Sequence, residues 1–351
     1  MQKTRKVTIQ DIADALGISR NTVSKAINNT DGIAEATRDK ILQKAVEMGY
    51  KQFSYVTSVA AVARQQEEVL EEQDTVGEIA LFTTFYLPNS HFGSMMLDKF
   101  HLEISQIGFT MSIHRVTDDD IRNLRFPKTF NAETVKGILC LELFDYNYSK
   151  MLCSSGIPLL LVDGPSRFGG LKLDCDMLLM DNLSEVFGFT NRMISRGLTR
   201  IGFIGDFMHC QSFYERYMAF MTAMMMAGVP VDQNFVLTPP VGDDDAFANA
   251  LESLNDYPDV FICANDFIAI DAMQILFQRN RSLMKKIRFF GFDDSHESRI
   301  FYPSLSTVHI HSQSMAYSAV QLLISRMKSP NMESRTVYVA TDVVLRDSTE
   351  F

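Results

Sequence analysis

TIQDIADALGISRNTVSKAIN, Thr8 to Asn28, decides what the N-terminal end of this chain is. Apolar Ile9, Ile12, Ala13 and Leu16 recur at the spacing of one helical face, Gly17 breaks the pattern, and Val23, Ala26 and Ile27 resume it. That pattern predicts a helix, a tight turn and a second helix. Thr8 with Asp11 three residues on, and Ser19 with Thr22, mark the two helix starts, while Gly17 supplies the backbone freedom that a turn through positive φ needs. With Thr22, Val23 and Ser24 turned inward, the second helix presents Arg20, Asn21 and Lys25 outward near its N-terminal end. Arginine pairs bidentately with guanine, asparagine with adenine, and lysine reaches guanine or phosphate. An ordinary helical hairpin with a solvated polar face fits the same residues.

Ile33 to Tyr50 (IAEATRDKILQKAVEMGY) reads as a third amphipathic helix ending at Gly49 and Tyr50. VTIQDIADALGISRNTVSKAINN followed by TRDKILQKAVEMGY resembles the N-terminal domain of the LacI/GalR family of transcription regulators. The resemblance implies a DNA-contacting set of Thr8, Ile9, Ser19, Arg20, Asn21, Thr22, Ser24, Lys25 and Asn28, with Val59 in the linker. Where the family caps its third helix with serine this chain has Ala34, which weakens the cap by ~1 kcal/mol.

The linker departs further. Relatives follow the tyrosine with Pro, Asn and a short hinge helix whose leucine wedges into the minor groove, but here Gln52 and Phe53 follow Tyr50. Aligned without a gap, Val59 takes the wedge position; displaced toward AAVARQQ, Gln66 does. Neither register supplies a leucine, so a weaker central kink is expected, and Glu67, Glu68, Glu71 and Glu72 would be repelled by phosphate. A plain spacer or dimer-contact helix over Val59 to Leu70 stays open.

At 351 residues, 46% of them hydrophobic, the chain is long enough for a small domain and a large one with a well-buried core. The net charge of -10 argues against nucleic acid taken whole, but Met1 to Phe53 carries nine Lys or Arg against six Asp or Glu. A basic head on an acidic body is compatible with DNA, because phosphate attraction depends on the surface that faces the duplex. Cys140, Cys153, Cys175, Cys210 and Cys263 are scattered, without metal-ligand spacing, and read as buried free thiols. With no charged-then-apolar leader and no bilayer-length apolar run, a soluble cytoplasmic protein without membrane contact is expected.

The domains expected are 1-53 for DNA binding, 54-75 as linker or hinge, and 76-351 for effector binding and dimerisation. The first strand of the large domain is placed at Val76 to Thr83, followed by an aromatic loop (Phe85, Tyr86, Phe92) and a helix from about Gly93 to Ile107. Gly137 to Leu143, Pro158 to Val162, Ile201 to Ile204, Val260 to Ala264 and Ile287 to Phe292 read as buried parallel strands of a doubly wound α/β architecture in two lobes. GIPLLLVDGP, MDN, RGLTRIGFIGD, ERYMAF, CANDFIAI, GFDD and VVLRDST, in that order, resemble landmarks of the LacI/GalR effector domain. The resemblance implies a two-lobed, type I periplasmic-binding-protein-like fold with crossovers near 180, 308 and 338 and a ligand in the cleft. It places Arg216, Asn265 and Asp293 at ligand positions; Asp163 ends a strand where a further acceptor is useful, and Tyr86 and Phe92 offer an aromatic wall.

Carboxylate, amide, guanidinium and aromatic groups together suit a sugar, so a sugar-responsive repressor, homodimeric on two-fold operator DNA, is the expectation. The alternatives kept beside it are a regulator with a non-sugar ligand or none, and a sugar-processing enzyme with a DNA-binding head. Where many relatives carry an aromatic near a GDWS-like sequence, this chain reads GDDDAF, with Asp244, Asp245 and Phe247. No catalytic residue, cofactor or metal site is expected: His309 and His311 have no third ligand, Ser154 and Ser155 have no identifiable base, and MTAMMMAG suits adaptable packing. Met95, Met96, Phe100 and Ile104 form an apolar helix face that suits a dimer contact or plain core.

Overall fold

The computed structural model describes residues 7–27, then Thr37, Lys40, Ile41, Lys44, Ala45 and Met48, and then 77–84 and 91–350. Asn28, Val59, the rest of the linker over 51–75, Phe85 and Tyr86 lie outside the described residues. The chain divides into two compact units, Met1–Thr75 and Val76–Phe351.

In the first unit, helix Ile9–Leu16 begins with a capping box: Thr8 Oγ1 accepts from Asp11 N, and Asp11 Oδ2 accepts from Thr8 N at 2.8 Å. It ends at Gly17, whose φ of 66° is left-handed, a conformation glycine adopts without Cβ strain. Helix Arg20–Ile27 starts with Ser19 Oγ accepting from Thr22 N at 3.1 Å. Ile12, Ala13, Val23 and Ala26 form a small core with Ile41 and Ala45 of the following helical residues. Thr22 and Ser24 are only half-buried, a correction to the inward position expected for them: the buried stripe of this short helix is Val23 and Ala26, one turn apart.

The second unit has two parallel sheets. The first lobe holds β1 (Gly77–Thr83), β2 (Phe109–Arg115), β3 (Val135–Leu141), β4 (Leu159–Val162), β5 (Asp176–Met180) and β11 (Thr336–Val339), in the order β11-β5-β4-β3-β1-β2. The second holds β6 (Ile201–Ile204), β7 (Val236–Leu237), β8 (Val260–Cys263) and β9 (Arg288–Phe290), in the order β7-β6-β8-β9. An antiparallel pair, β10 (Thr307–Ile310) and β12 (Thr341–Val344), adjoins β9 through bridges Phe290–Ser306 and Asp293–His309. The chain therefore changes lobe between Met180 and Ser184, between Ile310 and Ser312, and between Val339 and Thr341. The strands β4, β5, β6 and β8 are buried along their whole length because helices cover both sheet faces, which is why they read as apolar runs rather than alternating ones.

Met96, Phe100 and Ile104 of helix His91–Gln106 are core residues, on a helix packed against Ser312–Lys328. The apolar face offered as a dimer contact is thus spent within the lobe, and only Met95 of the four is exposed. Lys99 ties the two helices, 2.6 Å from Glu103 and over the Tyr317 ring.

Candidate functional site

In the helix-turn-helix unit, Arg20, Asn21 and Lys25 are exposed on the second helix while Val23 is buried. The capped turn fixes the start of that helix, so its N-terminal side chains project from a rigid base.

In the large unit, the polar residues converge where strand ends of the two lobes face each other. Among the described residues five non-glycines have positive φ, and four of them are acids that follow strands at this edge: Glu142 after β3, Asp163 after β4, and Asp293 and Asp294 after β9. Such backbone costs about 1–3 kcal/mol per residue and concentrates at functional sites. Asp163 (φ 50°) accepts from Gly164 N at 2.8 Å, and burial pushes its carboxyl up.

Helix Gln211–Met226 delivers the opposing groups. Its first two turns carry Gln211, Ser212, Glu215 and Arg216, all buried, because residues three and four apart share a helix face. Arg216, 3% exposed, donates from Nε to Asn182 Oδ1 at 2.9 Å and from Nη1 to the Ala264 carbonyl at 2.6 Å. Its guanidinium lies 3.5 Å from the centre of the Phe292 ring, a cation–π contact, and 3.9 Å from Asp293 Oδ1. Glu215 accepts from Asn182 Nδ2 at 2.9 Å, Gln211 Nε2 at 2.8 Å and Tyr338 OH at 2.7 Å. Burial pushes the Asp293 carboxyl well up; Arg216 opposes this, and Asp266, Glu142 and Asp163 add to it.

The two adjacent aspartates after β9 separate in role. Asp294 is held by Arg299 at 2.6 Å, His309 at 2.9 Å and Arg346; burial raises its carboxyl, but these hydrogen bonds outweigh burial and hold it well below the usual range. Asp294 is therefore a clamp between β9, β10 and the last segment, while Asp293 stays at the cleft with Arg216 as its one cation among the described residues.

Of the residues singled out in the sequence, Asp163, Arg216 and Asp293 are neighbours by charge and distance. Asn265 caps helix Asp266–Arg279, its side chain accepting from Ile268 N at 2.9 Å, and it borders Ala264, whose carbonyl holds Arg216. Phe92 is buried in the apolar core that also holds Met96 and Phe100. Phe247 packs against the second lobe's core, on a helix begun by an Asp243 cap, so GDDDAF supplies a helix start there. Asn182, Glu215 and Tyr338 escaped the sequence reading. For Asn182 and Glu215 the signal was present: MDN falls at the first change of lobe, and Gln211 to Glu215 and Ser212 to Arg216 are polar pairs one turn apart in a methionine-rich helix.

Interlobe contacts complete the site. Gln211 N donates to Gly164 O at 2.9 Å, Arg167 N donates to Gln211 Oε1 at 2.9 Å, and the Phe144 and His209 rings meet edge-on with centroids 4.7 Å apart.

A helix-turn-helix unit joined to a two-lobed α/β body defines a class of DNA-binding transcription regulators. The family model described as bacterial regulatory proteins, lacI family, matches residues 8–52, and that for a periplasmic binding protein-like domain matches 190–349. Residues 8–52 thus carry the DNA-binding domain of the lacI family of bacterial regulatory proteins, and the chain as a whole resembles LacI/GalR transcription regulators. It is 23% identical over 345 residues to the HTH-type transcriptional repressor PurR of Mannheimia succiniciproducens, covering 97% of this chain and 98% of that one. It is 26% identical over 347 residues to PurR of Actinobacillus pleuropneumoniae serotype 3, with the same coverage. Among solved structures it matches a CelR–cellobiose complex (TM-score 0.66, 21% identity, 98% and 100% coverage) and a lac repressor dimer bound to operator and an anti-inducer (TM-score 0.63, 17% identity, 98% and 99% coverage). Those likenesses speak for the fold. The relatives matched in sequence are PurR repressors rather than sugar regulators, and this overturns the expectation of a sugar in the cleft. The physical reason the sequence misled is that carboxylate, amide, guanidinium and aromatic groups serve any polar ring, not sugars alone. Among the described residues no helix is long and apolar enough to cross a membrane, and no group of three or more His, Cys, Asp or Glu is placed to hold a metal ion.

Proposed function

We propose that this protein is a transcriptional repressor that acts as a homodimer on operator DNA, and that its cleft takes a planar, uncharged, nitrogen-containing heterocycle of the nucleobase type. The observation that carries the ligand class is the charge and shape of the cleft. Glu142, Asp163, Glu215 and Asp293 gather around one arginine whose Nε and Nη1 are already committed to Asn182 and Ala264. An anion would meet four carboxyl groups against one committed arginine there, whereas a neutral ring with N–H donors finds acceptors in Asp163 and Asp293. Phe144, His209 and Phe213 form a connected aromatic group beside these acids, against which a flat ring can stack.

Repression rather than activation is supported by the names of the relatives matched over the whole chain, and dimerisation on operator by the lac repressor complex. Arg20, Asn21 and Lys25 read bases from the exposed face of the second helix. A ligand in the cleft acts by favouring one arrangement of the lobes over another, which its contacts to both lobes permit. The test is calorimetry of the full chain against hypoxanthine, guanine, adenine and uracil, with glucose and cellobiose beside them. Saturable binding of a base that changes operator affinity supports the reading; binding of a sugar or of an anion, with no base bound, rejects it.

A further inference from the structure

The first crossing between the lobes carries Asn182, fully buried between β5 and helix Ser184–Ser195. Its amide stands between two groups of fixed sense. On one side Arg216 Nε, which can only donate, gives its hydrogen to Asn182 Oδ1 at 2.9 Å. On the other, Asn182 Nδ2 donates to Glu215 Oε2 at 2.9 Å and to Ser212 Oγ at 3.3 Å. Three donors converge on the buried Glu215, since Gln211 Nε2 and Tyr338 OH reach its Oε1 at 2.8 and 2.7 Å. Glu215 is therefore an acceptor throughout. Turning the Asn182 amide over would set nitrogen against Arg216 Nε and oxygen against Glu215, so the carboxylate admits one orientation of the amide.

The partners come from different parts of the body. Tyr338 belongs to β11 of the first lobe, paired with Leu179 of β5, and lies just before the chain changes lobe, whereas Glu215 and Arg216 belong to a helix that follows β6 of the second lobe. The crossings on which Asn182 and Tyr338 border are tied to each other: Asp181 N donates to Val339 O at 2.7 Å, and Thr341 Oγ1 donates to Asp181 O at 2.9 Å. Tyr338 is otherwise exposed, and its hydroxyl is the part that reaches the buried network.

We propose, on the reading of the cleft as the ligand site, that Glu215 is the positioning residue for the cleft arginine: it fixes the Asn182 amide, which holds the Arg216 guanidinium toward Asp293, and the Tyr338 hydroxyl makes that hold depend on the arrangement of the lobes. The Nε bond sets the plane of a rigid fork, and so sets where the other N–H groups of Arg216 point. A rearrangement that draws β11 away from helix Gln211–Met226 removes one of the donors that hold Glu215, and frees the amide and the arginine in turn. By reciprocity, a ligand that grips Arg216 favours the arrangement in which Tyr338 reaches Glu215.

Exchanging donor and acceptor across the contact tests it. Glu215→Gln puts one oxygen and one amide nitrogen where two acceptors stood: with the oxygen on Gln211 and Tyr338, the nitrogen meets Asn182 Nδ2, and turning Asn182 to accept it sets Nδ2 against Arg216 Nε. Adding Asn182→Asp restores the pairing with roles reversed, since the new carboxylate accepts from the glutamine amide on one side and from Arg216 Nε on the other; size and total charge match the wild type. The measurement is exchange of the Arg216 Nε hydrogen with water, read by NMR on the full chain with isotope-labelled arginine and assigned by its loss in Arg216→Lys. In the wild type without ligand the signal should be protected. Glu215→Gln should speed its exchange by about tenfold or more, the loss of one charge-assisted hydrogen bond, and the double variant should regain the protection. Tyr338→Phe, which removes only the hydroxyl, should speed it several-fold. Affinity for a base that the wild type binds, measured by calorimetry, should fall and recover in the same order. The assignment is overturned by full protection in Glu215→Gln, by no recovery in the double variant, or by exchange in Tyr338→Phe equal to that of the wild type. If Glu215→Gln does not fold, the double variant and Tyr338→Phe decide. The exchange is read on the free protein, so a failure of every base to bind would count against the nucleobase ligand alone.

Discussion

Replacing Arg216 by alanine tests the centre of the cleft, because this side chain is at once a buried ion, a donor and a ring partner. Its Nε and Nη1 hydrogen bonds to Asn182 and Ala264 are charge-assisted, a kind that contributes about 1.5–3 kcal/mol each. The stacked contact with Phe292 adds about 2 kcal/mol in a desolvated setting. Removing the cation also leaves the half-buried Asp293 without its opposing charge, and breaking one half of a buried pair costs about 3–5 kcal/mol. These effects share one side chain and do not add, so the last range is the expectation for Arg216→Ala in urea unfolding of the full chain. Arg216→Lys keeps the charge but not the planar fork and should lose about half as much. Adding Asp293→Asn to Arg216→Ala should recover stability, since the neutral amide removes the stranded carboxylate. Both single variants should lose the ligand-dependent change in operator affinity. A loss below about 1 kcal/mol for Arg216→Ala, or no recovery in the double variant, would refute the assignment of Arg216 as the cation that holds Asp293 in place.

Two further outcomes follow from the same reasoning. Arg20→Ala should cost about 1–3 kcal/mol on the cognate operator and relax preference at one base pair, measured by binding to a panel of single-substituted sites; equal weakening on every sequence would make Arg20 a phosphate contact. Asp266, fully buried under the cap of its helix with Ser295 N and Thr307 Oγ1 on its carboxylate, has its pKa raised from 3.8 to about 6 by burial. A folded-state value above the unfolded one means that the native state holds the extra proton, so this contribution to stability is full below about pH 4 and is lost as pH rises through about 6, some 3 kcal/mol in all. Denaturation series across that window should show the decline in the wild type and its loss in Asp266→Asn; an unchanged slope in the variant would assign it to another group.

What the sequence by itself determined was everything whose cause is local. The capping box at Thr8, the left-handed turn at Gly17 and the Val23–Ala26 stripe are set by side chains three or four residues apart, so the helix-turn-helix is written in one short stretch. The buried strands were legible for a similar reason: a strand covered on both faces must be apolar throughout. What only the tertiary structure decided was which of several similar groups does what. Asp293 and Asp294 are adjacent and chemically identical, and nothing local shows that two arginines and a histidine from later segments claim one of them and leave the other at the cleft. Met96, Phe100 and Ile104 fit a core or a dimer face equally well until Ser312–Lys328, more than two hundred residues away, packs over them. Asn182 joins Arg216 to Glu215 only because the fold brings separate segments together. Periodicity and capping report on neighbours in the chain, whereas charge pairing and burial depend on neighbours in space.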